Sequence, residues 1–485
     1  MLVRESVQNS LDAAKEKAKS VKVDFVTGKF DASALNAHFD RITQKLDKKY
    51  PSAYGEYDFI QIKDSGTNGL TGPVSYDDVE NNLFGNLLKL VYEICKPQQN
   101  EGAGGSWGLG KTVYFRMGTG LVIYYSRINQ DGQYVERMAA CMVEDETKSN
   151  AILPSKGKLK RGIAWWGKAT DKNHTVPLED SPEIKEILDI FGITPYTGSE
   201  TGTTIIIPYI DLKRLLSDVY ALNEEDTDRP YWTRQISDYI NVAIQRWYAP
   251  RIRNSSYTYG PYLVASVNGH KILADNMLPL FKAIREMYNI TEENKGDNGF
   301  TEEGYTVTCE QISLRNVFGN GSIAGRLVCV KLDKAYLKML PPDNCKSPYQ
   351  HVSNTVVTMD TGNSPLIMYT RRPGMIVGYD YSGAWTHSMT KCSPDEFIIG
   401  LFTLNSSNQL RSDSASDKLI SLEEYIRQGE KADHAAWTDH NVKGNNPRIV
   451  YNIQKNVIKK INQTYKEKII DTSAVSYTHL RAHET

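Results

Sequence analysis

Glu5, Asn9 and Asp12 are spaced so that one face of a helix would carry all three. At about 100° per residue they fall within about 60° of one another. Val3, Val7, Leu11 and Ala14 gather on the opposite side, an apolar stripe suited to packing on a sheet. A carboxylate, an amide and a second carboxylate presented together suit a base, a metal ligand and a partner for a phosphate ester. An Asn9 ligand would offer oxygen, which fits a hard cation. An ordinary solvated helical face has the same spacing, so this pattern gains meaning only beside other motifs further along the chain.

Three further stretches could do related chemistry. Asp58 to Gly72 reads as a buried strand, Phe59 to Ile62, with Asp64 just past its end where the chain turns through Gly66, Gly69 and Gly72. A carboxylate placed there can accept a hydrogen bond from an exocyclic amine such as that of adenine; a plain Asp-Ser-Gly turn reads the same way. From Glu101 to Thr112 the glycines Gly102, Gly104, Gly105, Gly108 and Gly110 would expose successive backbone N–H groups to an anion, and Lys111 adds a charge. Gly202 and Thr203 then lead into the β-branched run Thr204 to Ile207.

Taken in order, these four stretches resemble the motifs of the GHKL ATPases, the superfamily of type II topoisomerases, ninety-kilodalton heat-shock chaperones, histidine kinases and MutL-type repair proteins. The E-x-x-x-N-x-x-D-A motif is matched from Glu5 to Ala13, and G-x-x-G-x-G by Gly105, Gly108 and Gly110. D-x-G-x-G is matched by Asp64 and Gly66, with Gly69 one residue late, and the G-T pair by Gly202 and Thr203. The resemblance implies ATP and Mg2+ as ligands, with Glu5 as general base and Asn9 on the metal. Asp12 would join the nucleotide site, and Asp64 would recognise adenine with help from Thr203 through water. Gly105, Gly108, Gly110 and Lys111 would hold the phosphates. It further implies a nucleotide-driven switch with slow hydrolysis and an ATP-dependent homodimer.

Two alternatives remain. A nucleotide-sensing scaffold would bind ATP without hydrolysing it. Gly105 to Thr112 also satisfies the P-loop pattern G-x-x-x-x-G-K-[ST]. A P-loop needs a buried strand before it, however, and Lys96 to Glu101 is polar and contains Pro97.

Apolar content of 40% and charged content of 24% are those of an ordinary globular chain, and its 485 residues allow two or three domains. A net charge of −1 gives no global basic field for nucleic acid, leaving Lys156 to Arg161 as the one local basic run of note. Six scattered cysteines without C-x-x-C spacing fit unpaired thiols in a reducing cytoplasm. No apolar run reaches the length of a membrane span.

The elements that must position these residues form an expected α+β architecture. Residues 1–212 would be a GHKL-type two-layer sandwich, a mixed and largely antiparallel sheet with helices on one face. A lid at about 66–110 would include a helix from Tyr76 to Cys95. Strands are expected at Gly120 to Ile128, Glu136 to Glu144, Arg161 to Trp166 and Gly202 to Tyr209. After an acidic break at Asn223 to Pro230, a second mixed α/β domain, a transducer by analogy, would run over 230–410. It would begin with a helix near Trp232 to Trp247. Its strands would be Tyr262 to Val267, Tyr305 to Ser313, Ala324 to Lys331 and Asn354 to Met359.

Within that domain Arg371 and Arg372 precede a Pro373-Gly374 turn; one could reach the γ-phosphate, or both could simply face solvent. His434, Trp437, Asp439 and His440 make a polar-aromatic cluster better suited to structure than to metal. A basic amphipathic helix is expected over Asn446 to Lys468, within a helical region at 411–470. Residues 475–485 resemble a translated sequencing adapter, and the chain reads as a fragment.

Overall fold

A computed structural model describes residues 1–93, 112–145, 147–154, 162–170, 174–217, 234–293, 300, 304–333, 335–337, 364–393, 395–411, 420–430, 436–442 and 444–466. The acidic break, the basic run up to Arg161, the strand expected at Asn354 to Met359, His434 and the C-terminal tail lie outside the described residues.

The large sheet contains β1 (Ser20–Phe30), β2 (Tyr57–Ser65), β3 (Leu121–Gln130), β4 (Gln133–Val143) and β5 (Ile163–Trp166). A separate small hairpin pairs β6 (Lys168–Ala169) with β7 (Thr175–Val176). Then come β8 (Leu178–Glu179), β9 (Gly202–Pro208), β10 (Tyr262–Val267) and β11 (His270–Lys271). The order is β11-β10-β1-β2-β9-β3-β4-β5, with β8 also on β4. Every strand pairing in it is antiparallel except β1 with β10. The sheet is mixed and largely antiparallel, as the sequence led us to expect.

Strand β3 shows why the centre of the sheet reads as an unbroken apolar run. Val122 and Tyr124 enter one core, while Leu121, Ile123 and Tyr125 enter another on the opposite face. On the first face lie helices α1 (Leu2–Asp12), α5 (Thr112–Met117) and α8 (Ile236–Tyr248), which contribute Val3, Val7, Leu11, Tyr114, Ile240 and Ile244. The apolar stripe of α1 is thus buried as its period requires. The opposite face, expected to be open, is covered in part by short helices α2 (Ala32–Asn36), α3 (Thr43–Lys49) and α6 (Pro182–Ile190) through Leu35, Leu46, Ile184 and Ile187.

The helix expected from Tyr76 to Cys95 is broken. A 3-10 turn at Tyr76–Asp78 is followed by α4 (Gly85–Leu87) and a π-helical turn at Leu88–Tyr92. Asn81 and Asn82 both take positive φ (50° and 60°), which a continuous right-handed helix cannot contain.

Short α7 (Leu212–Ser217) and the longer α9 (Pro279–Glu293) precede a second sheet. It comprises β12 (Val307–Ser313), β13 (Ile323–Asp333), β14 (Leu366–Thr370), β15 (Ile376–Asp380) and β16 (Glu396–Leu404), in the order β12-β13-β16-β14-β15. Its outer face packs on α10 (Leu422–Gly429) and α11 (Ile449–Tyr465). Its inner face shares one continuous core with α8, α9 and the large sheet.

The two sheets therefore do not divide where the acidic break suggested. Tyr262–Val267, expected in the second domain, pairs with β1 in the first sheet, because its alternating apolar residues Leu263, Ala265 and Val267 extend that core. The cluster around Asp439 is structural. Its carboxylate accepts from the Val450 and Tyr451 N–H groups (2.8 and 3.0 Å) at the start of α11 and from the Tyr425 hydroxyl. His440 stacks on Tyr425, and Trp437 lies edge-on to Tyr369. Among the described residues Cys141, Cys309, Cys329 and Cys392 form no disulfide. No helix among the described residues is long and apolar enough to cross a membrane.

Candidate functional site

Asp64 is where the separate motifs meet. It sits at the C-terminal end of β2, antiparallel to Val23 of β1, with its carboxylate turned under α1. Oδ1 accepts from the Thr67 hydroxyl (2.6 Å) and the Thr203 backbone N–H (3.0 Å); Oδ2 accepts from the Ser10 hydroxyl (3.0 Å). Burial pushes the Asp64 carboxyl above its ordinary range, and these three donors partly oppose that push. A carboxylate has about four acceptor positions, so one on Oδ2 is left among the described residues. Asp64 is 7% exposed.

The loop after Asp64 is braced on every side. Lys15 donates its N–H to the Gly66 carbonyl and Asn68 to the Ala13 carbonyl, which ties the loop to the end of α1. Thr201 Oγ1 donates to the Thr67 carbonyl at 2.6 Å. Ser126 Oγ accepts from the Leu70 N–H and donates to the Gly202 carbonyl. The buried Arg137 guanidinium binds the carbonyls of Leu70 and Gly72 as well as Glu179.

This bracing leaves room only for glycine at position 69. At Gly69 φ is +71°, and a Cβ there would lie 2.6 Å from Ser126 Oγ and 3.0 Å from the Gly202 carbonyl. Gly66, at φ +82°, likewise has no room for a side chain beside the Ser20 carbonyl.

On α1, Glu5 and Asn9 share a face as expected. Glu5 is 7% exposed, and its Oε1 lies 3.3 Å from the guanidinium of buried Arg4, which stacks over Trp247 at 5.0 Å. Asn9 Nδ2 donates to the Tyr114 hydroxyl at 3.1 Å. Asp12 is exposed and accepts from Gln8 Nε2 at 2.8 Å. Among the described residues no group of three His, Cys, Asp or Glu side chains is disposed to hold a metal by itself. An amide oxygen beside carboxylates is instead a donor set for Mg2+, which keeps several waters and completes its shell with phosphate oxygens. The residues present fit that ion. Gly105, Gly108, Gly110 and Lys111 lie outside the described residues.

Arg371 and Arg372 are not brought into this cluster. The Arg371 guanidinium is buried, with Nε 2.8 Å from Glu430 and Nη1 2.6 Å from Glu423. Burial opposes its charge, yet the two carboxylates outweigh that and hold the group above its usual range. A guanidinium fixed this way is part of the second region's core and has no fork to offer a phosphate. Arg372 is exposed on the same turn and lies over the Tyr259 ring at 5.8 Å. The turn itself does approach α1: Tyr248 donates to the Arg4 carbonyl at 2.6 Å and lies 3.7 Å from Met375 Sδ.

Ser10, Thr67, Tyr114 and Arg4 escaped the sequence reading. Ser10 and Arg4 adjoin the motif residues Asn9 and Glu5, which is a usable signal; a buried tyrosine just past the glycine-rich segment is a fainter one.

No family model matches this chain, and no curated protein does. Among solved structures it is similar to the ATPase region of Saccharomyces cerevisiae topoisomerase II bound to ICRF-187 (dexrazoxane), with a TM-score of 0.38 and 10% identity over 96% of this chain and 84% of that one. The same yeast region in a second structure gives 0.35 and 8% over 94% and 86%. The ATPase and transducer domains of DNA topoisomerase II from Balamuthia mandrillaris give 0.34 and 10% over 96% and 85%. Likeness at this level leaves the function to be argued from the chain's own residues.

Proposed function

We propose that this chain binds ATP with magnesium at the α1–Asp64 site and hydrolyses it, with Glu5 as the general base. One observation carries the reading: Asp64 is buried among donors from α1, its own loop and β9, with one acceptor position that no described residue fills. An exocyclic amine such as that of adenine supplies the missing donor. Magnesium, when bound, would neutralise phosphate charge and would be held by Asn9, with Asp12 at the rim. Glu5 would take the proton of the attacking water, and Arg4 beside it would fix the carboxylate's orientation. Gly105, Gly108, Gly110 and Lys111 would hold the phosphates, and Thr203 supports the adenine contact through Asp64.

Calorimetry tests the binding half. Asp64→Asn should weaken ATP at least about a hundredfold, the scale of a lost charged hydrogen bond. Tight binding by that variant refutes the site, and sensitivity to Lys111→Ala alone favours the P-loop alternative. For hydrolysis, Glu5→Ala should lower turnover by about 10²- to 10⁴-fold while binding persists. Unchanged turnover, or none in the parent chain, favours the sensing scaffold. An ATP-driven switch and homodimer, which the resemblance implies, would be read by sedimentation with and without nucleotide. The contact of Tyr248 with both Arg4 and Met375 supports a mechanical link from α1 to the second sheet.

A further inference from the structure

Asn9 can ligate a metal only if its amide oxygen, and not its NH2, faces the ion. The two ends of an amide are nearly the same shape, so a neighbour must decide between them. That neighbour is Tyr114, the third residue of α5, whose fully buried hydroxyl lies 3.1 Å from Asn9 Nδ2. A hydroxyl can donate as well as accept, and donation would turn the amide the wrong way round. The geometry shows which occurs: it is Nδ2, not Oδ1, that faces the Tyr114 hydroxyl, so the amide donates and the hydroxyl accepts. The hydroxyl oxygen thus holds the Asn9 NH2 and leaves Oδ1 as the end of the amide turned away from Tyr114.

We propose that Tyr114 is a positioning residue that sets the Asn9 amide for metal binding. This rests on the nucleotide reading above and adds to it a residue on a different element, at the exit of the glycine-rich segment. The phenol ring of Tyr114 serves the core, where it packs with α1 and β3; the hydroxyl serves Asn9. Removing the hydroxyl alone separates the two roles.

The readout is the ratio of ATP affinity in magnesium to ATP affinity in EDTA, by calorimetry on the full chain. Tyr114→Phe should lower that ratio about tenfold, the scale of losing a group that orients a metal ligand. Asn9→Ala should abolish it, and Tyr114→Phe should then have no further effect. An aspartate presents oxygen whichever way it rotates, so the double variant Asn9→Asp, Tyr114→Phe should recover magnesium enhancement. A general loosening of the core by Tyr114→Phe would not be rescued in that way. A parent chain that binds ATP with magnesium enhancement, and a Tyr114→Phe variant that keeps the full ratio, overturn this inference alone. Failure of the parent chain to bind ATP overturns the nucleotide reading and this inference together.

Discussion

Asp64 and Arg371 start from similar local designs. Each is a buried charge at the C-terminal end of a strand, and each is followed by a turn whose glycine takes positive φ, Gly66 at +82° and Gly374 at +67°. Among the described residues Asp64 is held by neutral donors, two hydroxyls and a backbone N–H, leaving a net charge and an acceptor position that none of them uses. Arg371 is held by two carboxylates that occupy its Nε and Nη1. An opposite charge closes a site, whereas neutral dipoles stabilise a charge and leave it able to bind something else. Burial alone distinguishes nothing here; the type of partner does.

The comparison breaks most visibly at Arg371. Arg371→Met removes the opposite charge from buried Glu430 and half-buried Glu423 and should cost about 3–5 kcal/mol in chemical denaturation, while ATP affinity in the folded protein stays within a few-fold. A large drop in affinity without loss of stability would return Arg371 to the nucleotide site. Ser10→Ala sharpens the other side. It removes one neutral donor from Asp64, so stability should fall by about 1 kcal/mol, and ATP affinity should fall with it because Asp64 is less firmly placed. An affinity equal to that of the parent chain would show that Ser10 merely fills space.

The smallest effect is in pH. Burial raises the Asp64 carboxyl above the ordinary value of 3.8. Folding therefore favours the protonated acid, and this contribution to stability is fully present below pH 3.8 and lost as pH rises through the raised value. Nucleotide binding runs the other way, since it needs the carboxylate as acceptor. Affinity should fall on acidification while the pH is still above 3.8, and Asp64→Asn should abolish that dependence. A flat affinity profile would mean that the ligand does not contact Asp64.

The helical spacing of Glu5 and Asn9 and the strand-end position of Asp64 were legible because both are short-range patterns. The partners of Arg371 were not: Glu423 and Glu430 lie 52 and 59 residues away, and an Arg-Arg-Pro-Gly turn reads alike whether buried or exposed. The lid helix was misread because periodicity continues through Asn81 and Asn82, while their positive φ is a conformational choice that asparagine tolerates without announcing. The hydroxyls of Ser10 and Thr67 carry no type signature at all. Their role arises from where Asp64 places its oxygens, which is a tertiary fact.

The parallel pairing of β10 with β1, from Ser20 opposite Tyr262 to Phe25 opposite Val267, has a practical consequence. Excising residues 1–217 as an independent nucleotide-binding fragment would strip the outer border of β1 and leave a row of unpaired N–H and C=O groups. Beside that row lie Val21, Val23 and Phe25, all apolar and buried in the whole chain. Such a border is a template for self-association. A fragment of this kind should precipitate or stack edge to edge. A chain merely nicked by protease between 217 and 234, with both pieces retained, should stay monodisperse and keep its ligand.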